Sequence, residues 1–279
     1  MLPAIRSSRN GLPAVLASRE IERARTLAAE FGVERVHGTY DELLADGAVD
    51  AVYIPLVNSD HREWTLKALA AGKHVLCEKP LAMNAAEGVE MAAAAGASGR
   101  LLMEALMYRF HPRMRALRAE VGEVVHLAAR FGFTLRAPGN YRWEPALGGG
   151  ALLDVGSYCV SAARWFLGEP SGVQAVGHLG PGGVDLSAAA ALEFPGGATA
   201  TVWGSFESPE DQELILVEPS GTRRVAAPFT SRDESADPYR IMVEEFGDAV
   251  LAGGPTPLPL EDSIGNLRVL DAIRAAITP

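Results

Sequence analysis

The sequence predicts an α/β protein in two units: a doubly wound parallel sheet lacking its first strand, then an α+β unit with a large open antiparallel sheet. Three observations carry this reading. From Leu12 to about Ala105, short apolar runs alternate with helical patterns, as repeated βαβ units require. After about Gly122 the strands lengthen and are joined by glycine-containing turns such as Pro195-Gly196-Gly197, the pattern of antiparallel hairpins. The chain opens Met1-Leu2-Pro3-Ala4-Ile5-Arg6-Ser7-Ser8, which reads as the tail of a helix.

In the first unit the strands are expected at Leu12–Ala17, Asp50–Ile54, Lys73–Cys77 and Arg100–Ala105. Each is almost continuously apolar, as strands covered on both faces must be. Helices are expected between them at Glu20–Phe31, Ser59–Ala71 and Asn84–Ala97. Ile21, Ala24, Leu27, Ala28 and Phe31 recur at helical spacing and make one apolar face, and Gly32 supplies the left-handed stop. In the second unit, strands at Ala188–Phe194, Ala198–Ser205 and Leu214–Glu218 accompany helices near Ala151–Leu167 and Tyr239–Leu251. A last helix is expected near Asp262–Ile277. The expected boundaries are 1–105 for the first unit, 106–260 for the second, and 261–279 for a C-terminal helix packing back on the first.

A nucleotide-binding sheet of this kind normally opens with a strand and a glycine-rich turn at a helix N-terminus, where backbone N–H groups bind pyrophosphate. No such element is read here. An unfilled central position would strip apolar cover from both neighbouring strands at about 1.5–3 kcal/mol per side chain. A fragment or a misplaced start is therefore the expectation, with a natural domain beginning at its second strand as the alternative.

Composition excludes several function classes. The 279 residues carry 25 Lys plus Arg against 35 Asp plus Glu, a net charge of −10, which argues against a nucleic-acid partner. Cys77 and Cys159 are the only cysteines, too few for a disulfide scaffold or a zinc site. No apolar run approaches the ~20 residues of a membrane span, and the first 20 residues lack the pattern of a signal peptide, so a cytoplasmic location is expected. The scattered histidines suggest no metal site, and no strand-to-helix serine elbow is present.

The candidate chemistry lies at the carboxyl ends of the parallel strands, which line the ligand crevice of such sheets. Glu78-Lys79-Pro80 follows one strand directly. A lysine there can serve as a cation beside a hydroxyl-bearing ligand, unless it is an ordinary surface charge. In the helix Ala151–Leu167, apolar almost all round, Asp154, Ser157, Ser161 and Arg164 fall at steps of three, four and three and form one polar stripe. Tyr158 shares the side of Asp154. A buried carboxylate needs a partner, so Asp154 is expected to pair with Lys79 while the Tyr158 hydroxyl reaches a substrate oxygen; a stripe facing bulk water is the alternative. Ser18-Arg19 ends the first strand, where an acid would hold the ribose of NAD. A hydroxyl and a guanidinium suit a 2′-phosphate instead. Pro55, Asn58 and His61 sit at the next strand end, where Asn58 and His61 either face a cofactor or cap the helix. Glu104, Tyr108, Arg109 and His111 follow the last parallel strand and could line the same crevice.

Three segments together resemble the glucose–fructose oxidoreductase/inositol dehydrogenase family of NAD(P)-dependent oxidoreductases. They are Ala17-Ser18-Arg19, the stretch Ala70 to Pro80 ending Cys77-Glu78-Lys79-Pro80, and the run Gly148-Gly149-Gly150-Ala151-Leu152-Leu153-Asp154-Val155-Gly156-Ser157-Tyr158. Tyrosine at 158, with Asn140-Tyr141-Arg142-Trp143 and Tyr108-Arg109-Phe110-His111-Pro112, is most similar to the dihydrodiol dehydrogenase and D-xylose dehydrogenase branch. The resemblance implies a Rossmann-like first domain, Lys79 as the catalytic lysine, Tyr158 as general acid/base, and Asp154 orienting lysine or substrate. It also implies NADP, with NAD as the second choice, held by Ser18 and Arg19 together with Pro55, Asn58, His61, Glu78, Lys79 and Arg109. Trp143, Asp154 and Tyr158 would meet a sugar, polyol or trans-dihydrodiol, and the antiparallel sheet would join copies into a homo-oligomer. The family's glycine-rich phosphate loop is not found, so a non-catalytic sugar-binding relative or an inactive fragment is the rival expectation.

Overall fold

A short helix, α1 (Leu2–Ser7), precedes the first strand, β1 (Val15–Ala17), which runs parallel to β2 (Arg35–His37). Between them lies α2 (Ile21–Phe31), closed by Gly32 at φ 67°, a left-handed position that costs glycine nothing. A turn then enters α3 (Tyr40–Ala45), whose start is a capping box: Thr39 accepts from Glu42 N–H and Glu42 reaches back to Thr39 N–H. The computed structural model describes residues 1–231 and 236–277; the expected units 106–260 and 261–279 extend over a few positions outside these.

The chain continues through β3 (Ala51–Ile54), α4 (Asn58–Ala70), β4 (His74–Cys77), α5 (Ala85–Ser98) and β5 (Leu102–Glu104), with β3, β4 and β5 parallel in that order. β1–β2 and β3–β4–β5 form two separate hydrogen-bonded sheets. Each of the four strands expected in this unit is shorter than its apolar run suggested, because Leu12, Asp50, Lys73 and Arg100 lie outside the ladders. β2 and α3 were not expected. Arg35-Val36-His37 has one apolar residue, and α3 has only six residues, so neither shows a period.

After α6 (Pro112–Glu120), β6 (His126–Thr134) opens the second unit. A turn of π-helix, Leu152–Gly156, leads into α7 (Ser157–Leu167). Then follow β7 (Gly172–Leu179), β8 (Asp185–Glu193), β9 (Thr199–Ser205), β10 (Glu207–Glu218), β11 (Gly221–Ala226), α8 (Pro238–Ala252) and α9 (Leu260–Ile277). The six strands form one sheet in the order β11-β10-β6-β9-β8-β7. An open antiparallel sheet was expected; the sheet is mixed, because β6 and β9 at its centre are parallel. The reason is topological: α7 carries the chain from β6 across to the far edge, and the β7–β8–β9 meander returns to lie beside β6.

Pleating gives this sheet two unlike faces. Leu127, Ala129, Phe131, Ala190, Leu192, Val202, Leu214 and Leu216 are buried on one face, under α7 and the π turn. Their neighbours Ala128, Arg130, Ala189, Ala191, Thr201 and Trp203 line a shallow groove of about 590 Å³ on the other. α9 ties the two units together: Asn266 Nδ2 donates to Ser157 O at 3.1 Å and Asp271 accepts from Ala85 N–H at 2.8 Å.

Candidate active site

Lys79 enters from the first unit and Asp154 from the second. β4 ends at Cys77, and Glu78 N–H still donates to Ile54 O at 3.1 Å. The chain then leaves the sheet, with Lys79–Pro80 in the cis form. Lys79 Nζ donates to Asp154 Oδ1 at 2.8 Å and to the Asp154 backbone O at 2.7 Å. It also lies 4.9 Å from the centre of the Tyr158 ring. Lys79 thus meets Asp154 and Tyr158, 75 and more positions later in the chain, and the expected pairing of Asp154 with Lys79 is present.

The stripe sits on an irregular helix. A regular helix was expected from Ala151 to Leu167, but the first part is the π turn Leu152–Gly156, a form that recurs at functional sites. Packing against β9 accounts for it. Gly204 of β9 lies so close that a Cβ on it would be 2.9 Å from Gly156 N, so backbone meets backbone where two glycines face each other. Asp185 closes the entrance, accepting from Leu152 N–H at 2.6 Å. Gly150 precedes it at φ 109°, where a Cβ would land on the Asp185 carboxylate.

Electrostatics hold the cluster together. Asp154 is 6% exposed, and isolated burial would neutralise it. Burial does press its pKa upward, but Lys79 and Arg142 outweigh this and hold it below the usual carboxylate range. Arg142 Nε donates to Asp154 Oδ2 at 2.6 Å and Nη2 to Oδ1 at 3.3 Å. Lys79 shows the converse: burial pulls its pKa down, yet Asp154 and nearby acidic groups raise it above the ordinary lysine value. The ammonium therefore persists at neutral pH. Tyr158 is pushed upward by burial, with the Lys79 cation opposing, so its phenol is protonated at rest. With Glu78 the set carries two cations and two anions and is close to neutral overall.

Aromatic rings wall this cluster on one side. Tyr158 packs within 6 Å, centre to centre, of Phe131, Phe229 and Tyr108. Trp143 meets Phe206 edge to face and anchors its indole N–H on Ala137 O at 3.0 Å. Such rings exclude water and offer an apolar face.

Ser18 Oγ accepts from Glu20 N–H at 3.1 Å at the end of β1, and Arg19 is exposed beside it. Pro55 is exposed at the end of β3. Asn58 is buried and donates to Gly148 O at 2.8 Å; α4 is capped by Val57, without a side-chain bond. His61 is also buried, its ring nitrogens 2.9 Å from Pro80 O and 3.1 Å from Leu56 O. Burial lowers its pKa, so the ring is neutral and donates to one of the two. Both side chains are engaged in the scaffold behind Lys79. Arg109 sits in a separate network, donating to Asp262 Oδ2 at 3.2 Å and lying 4.2 Å from the centre of Trp165. Tyr108 and Ser161 share a 2.8 Å hydrogen bond there, and Arg164 is buried against Asp262 and Glu169. Glu104 is buried and accepts from Leu81 N–H at 2.9 Å, and His111 caps α6.

Arg142, Asp185 and Tyr53 were not singled out. Arg142 stood in a quoted motif but twelve residues from Asp154 without periodic relation. Asp185 lies in a strand pattern that gave no hint of the helix it caps. Tyr53, whose hydroxyl donates to Glu78, read as one more apolar residue of a buried strand.

Comparison with known proteins agrees with this architecture. Residues 2–106 match the family model described as an oxidoreductase family with an NAD-binding Rossmann fold, and residues 113–223 match the GFO/IDH/MocA C-terminal domain. An oxidoreductase of Rhizobium meliloti is 37% identical over 98% of this chain and 91% of its own. A D-xylose 1-dehydrogenase (NADP+) of Haloferax volcanii is 38% identical with the same coverages. A 3-ketoreductase from Actinomadura kijaniata, solved with NADP and TDP-benzene, superposes with a TM-score of 0.92 at 32% identity, over 99% of this chain and 93% of that one. The chain belongs to the GFO/IDH/MocA family of NAD-binding oxidoreductases.

Proposed function

We propose that this oxidoreductase moves hydride reversibly between NADP(H) and a carbinol or carbonyl carbon of a sugar, polyol or trans-dihydrodiol. The observation that carries the reading is the approach of Lys79 Nζ to 4.9 Å from the Tyr158 ring, with Asp154 holding the same ammonium at 2.8 Å. The relatives named for xylose and trans-dihydrobenzenediol oxidation support the substrate class. The residues at the end of β1 fit NADP: the Ser18 hydroxyl already accepts from Glu20 N–H and has its own hydrogen to donate, and the exposed Arg19 guanidinium suits a 2′-phosphate. Glu78 and Lys79 would face the nicotinamide end. When bound, the cofactor supplies hydride exchange at its ring.

The protein's own residues handle the proton. In reduction, Tyr158 donates its phenolic proton to the carbonyl oxygen; in oxidation, its oxygen takes the hydroxyl proton. Lys79 lowers the cost of the phenolate and of negative charge on the reacting oxygen. Asp154 fixes where that cation stands, and Arg142 keeps Asp154 ionised. Proton transfer by a group so placed is worth about 10²–10⁴ in rate. Trp143 offers the apolar face against which the substrate ring rests, with Phe131 and the fully buried Phe229 backing the Tyr158 ring.

We further assign residues 1–105 to cofactor binding and 106–260 to substrate binding, with 261–279 packing back on the first, and place the chain in the cytoplasm. No described helix is long and apolar enough to cross a membrane. The groove lined by Ala128, Ala189, Ala191 and Trp203, with Val176 72% exposed near it, supports association of copies through the open sheet face. Following NADP+ reduction with a panel of aldoses, inositols and dihydrodiols tests the reading. Turnover of one class supports it; ligand binding without turnover of any would overturn it in favour of a non-catalytic relative.

A further inference from the structure

The mechanism leaves one polar contact beside Lys79 unused. Tyr53 stands on β3 and Glu78 just beyond the end of β4, and the two strands run in register with Ile54 opposite Cys77. The Tyr53 hydroxyl donates to Glu78 Oε1, while Glu78 Oε2 accepts from the backbone N–H of Lys79 at 3.1 Å. Each oxygen of this carboxylate therefore has a holder, one on the neighbouring strand and one on the residue that carries the ammonium. Tyr53 is half-buried, and burial together with the Glu78 charge drives its pKa upward, so the phenol remains a donor at any working pH.

An untethered Glu78 carboxylate has an obvious alternative. It is partly exposed, adjoins Lys79 in sequence, and an ammonium attracts a carboxylate more strongly than a backbone amide does. A swing onto Nζ would set two carboxylates competing for the cation that Asp154 orients. We propose that Tyr53 is a positioning residue for Lys79, acting through Glu78: its hydroxyl keeps the Glu78 carboxylate on the Lys79 amide and away from the ammonium. The proposal rests on the reading of Lys79 given above. It adds a residue that does not touch substrate but fixes the direction in which the lysine leaves the sheet.

The test uses Tyr53→Phe, Glu78→Gln and the double variant in the full chain, with two readouts. Steady-state kinetics on the substrate found in the panel should show kcat reduced about 10- to 100-fold in Y53F, the scale of a small misplacement of a reacting group, with substrate KM changed far less. Independently of turnover, the pH dependence of Lys79 acylation by acetic anhydride, read by mass spectrometry, should shift upward in Y53F, where a second carboxylate reaches the ammonium. The shift should disappear in the double variant, whose kcat should be no lower than that of E78Q alone. Unchanged kcat and acylation in Y53F, or losses that multiply in the double variant, would overturn the proposal. If the wild-type chain turns over no substrate, the functional reading fails on its own, and the acylation profile still decides whether Tyr53 governs Lys79. Should Y53F not fold, Tyr53→Leu removes the same hydroxyl while leaving Glu78 charged, and a Lys79 acylation profile identical to wild type in that variant would equally defeat the idea.

Discussion

Lys79 and Asp154 are joined twice, the ammonium meeting both the Oδ1 and the backbone carbonyl of Asp154 at 2.8 and 2.7 Å. The second contact matters because it survives removal of the carboxylate charge. Asp154→Asn should therefore leave the lysine near its place but strand it and Arg142 as two partly buried cations without their shared anion. Breaking a buried pair in this way costs about 3–5 kcal/mol, reduced here because both side chains retain some contact with water. Urea unfolding at neutral pH should show a loss of about 2–3 kcal/mol on that basis. The sign with pH follows from the lowered carboxyl pKa. Its stabilisation is present above the ordinary carboxylate value and lost as pH falls through the lower folded value, so the variant should lose less stability than wild type on acidification below about pH 4.

Lys79→Met tests the cation alone. Asp154 keeps its two bonds to Arg142, and methionine fills the space of the lysine stem, so the fold should hold. Turnover should fall about 10²- to 10⁴-fold, while NADPH affinity measured by fluorescence changes by only a few-fold. Equal activity in the variant would remove Lys79 from the chemistry.

Asp185 gives an opposite pH signature. Burial raises its carboxyl to about 6 despite the Leu152 N–H it accepts. A raised folded value means the favourable, protonated state is fully present below the ordinary carboxylate value and is lost as pH rises through about 6. Asp185→Asn keeps an acceptor for Leu152 and removes the charge. Its melting temperature relative to wild type should therefore improve between about pH 4 and pH 7. A difference that stays constant across that range would contradict this reading of Asp185.

Gly204→Ala places a methyl group 2.9 Å from Gly156 N. Since the obstacle is backbone, the π turn must move, at a cost of about 1–3 kcal/mol for overpacking. Because that turn carries Asp154, kcat should fall along with stability. Calorimetry and kinetics on the same preparation check both, and a destabilised variant with wild-type kcat would separate the turn from the site.

The sequence made legible what periodicity and capping encode. The polar stripe Asp154, Ser157, Ser161 and Arg164 could be read because the rest of its helix is apolar, and every member of it is buried against a polar partner. Lys79 could be read because strand ends in parallel sheets point at ligands. What stayed hidden has no local signature. The π turn is imposed by the approach of Gly204, 48 positions beyond Gly156 in the chain. The central parallel pair β6–β9 comes from strand order, which alternation along a single strand does not contain. Arg142 reaches Asp154 from a 3₁₀ turn without any regular spacing. Asn58 and His61 had the right positions and residue types, yet their polar atoms are engaged with backbone carbonyls that only the folded chain brings near.

The central claim is that Lys79 and Tyr158 serve one proton-transfer step together. The most direct measurement is a kinetic double-mutant cycle with Lys79→Met, Tyr158→Phe and the double variant, all folded and NADPH-binding. Groups acting as a unit are strongly non-additive, so the double variant should be no slower than the slower single variant. Losses in kcat that multiply would show two groups acting independently, and would contradict the account.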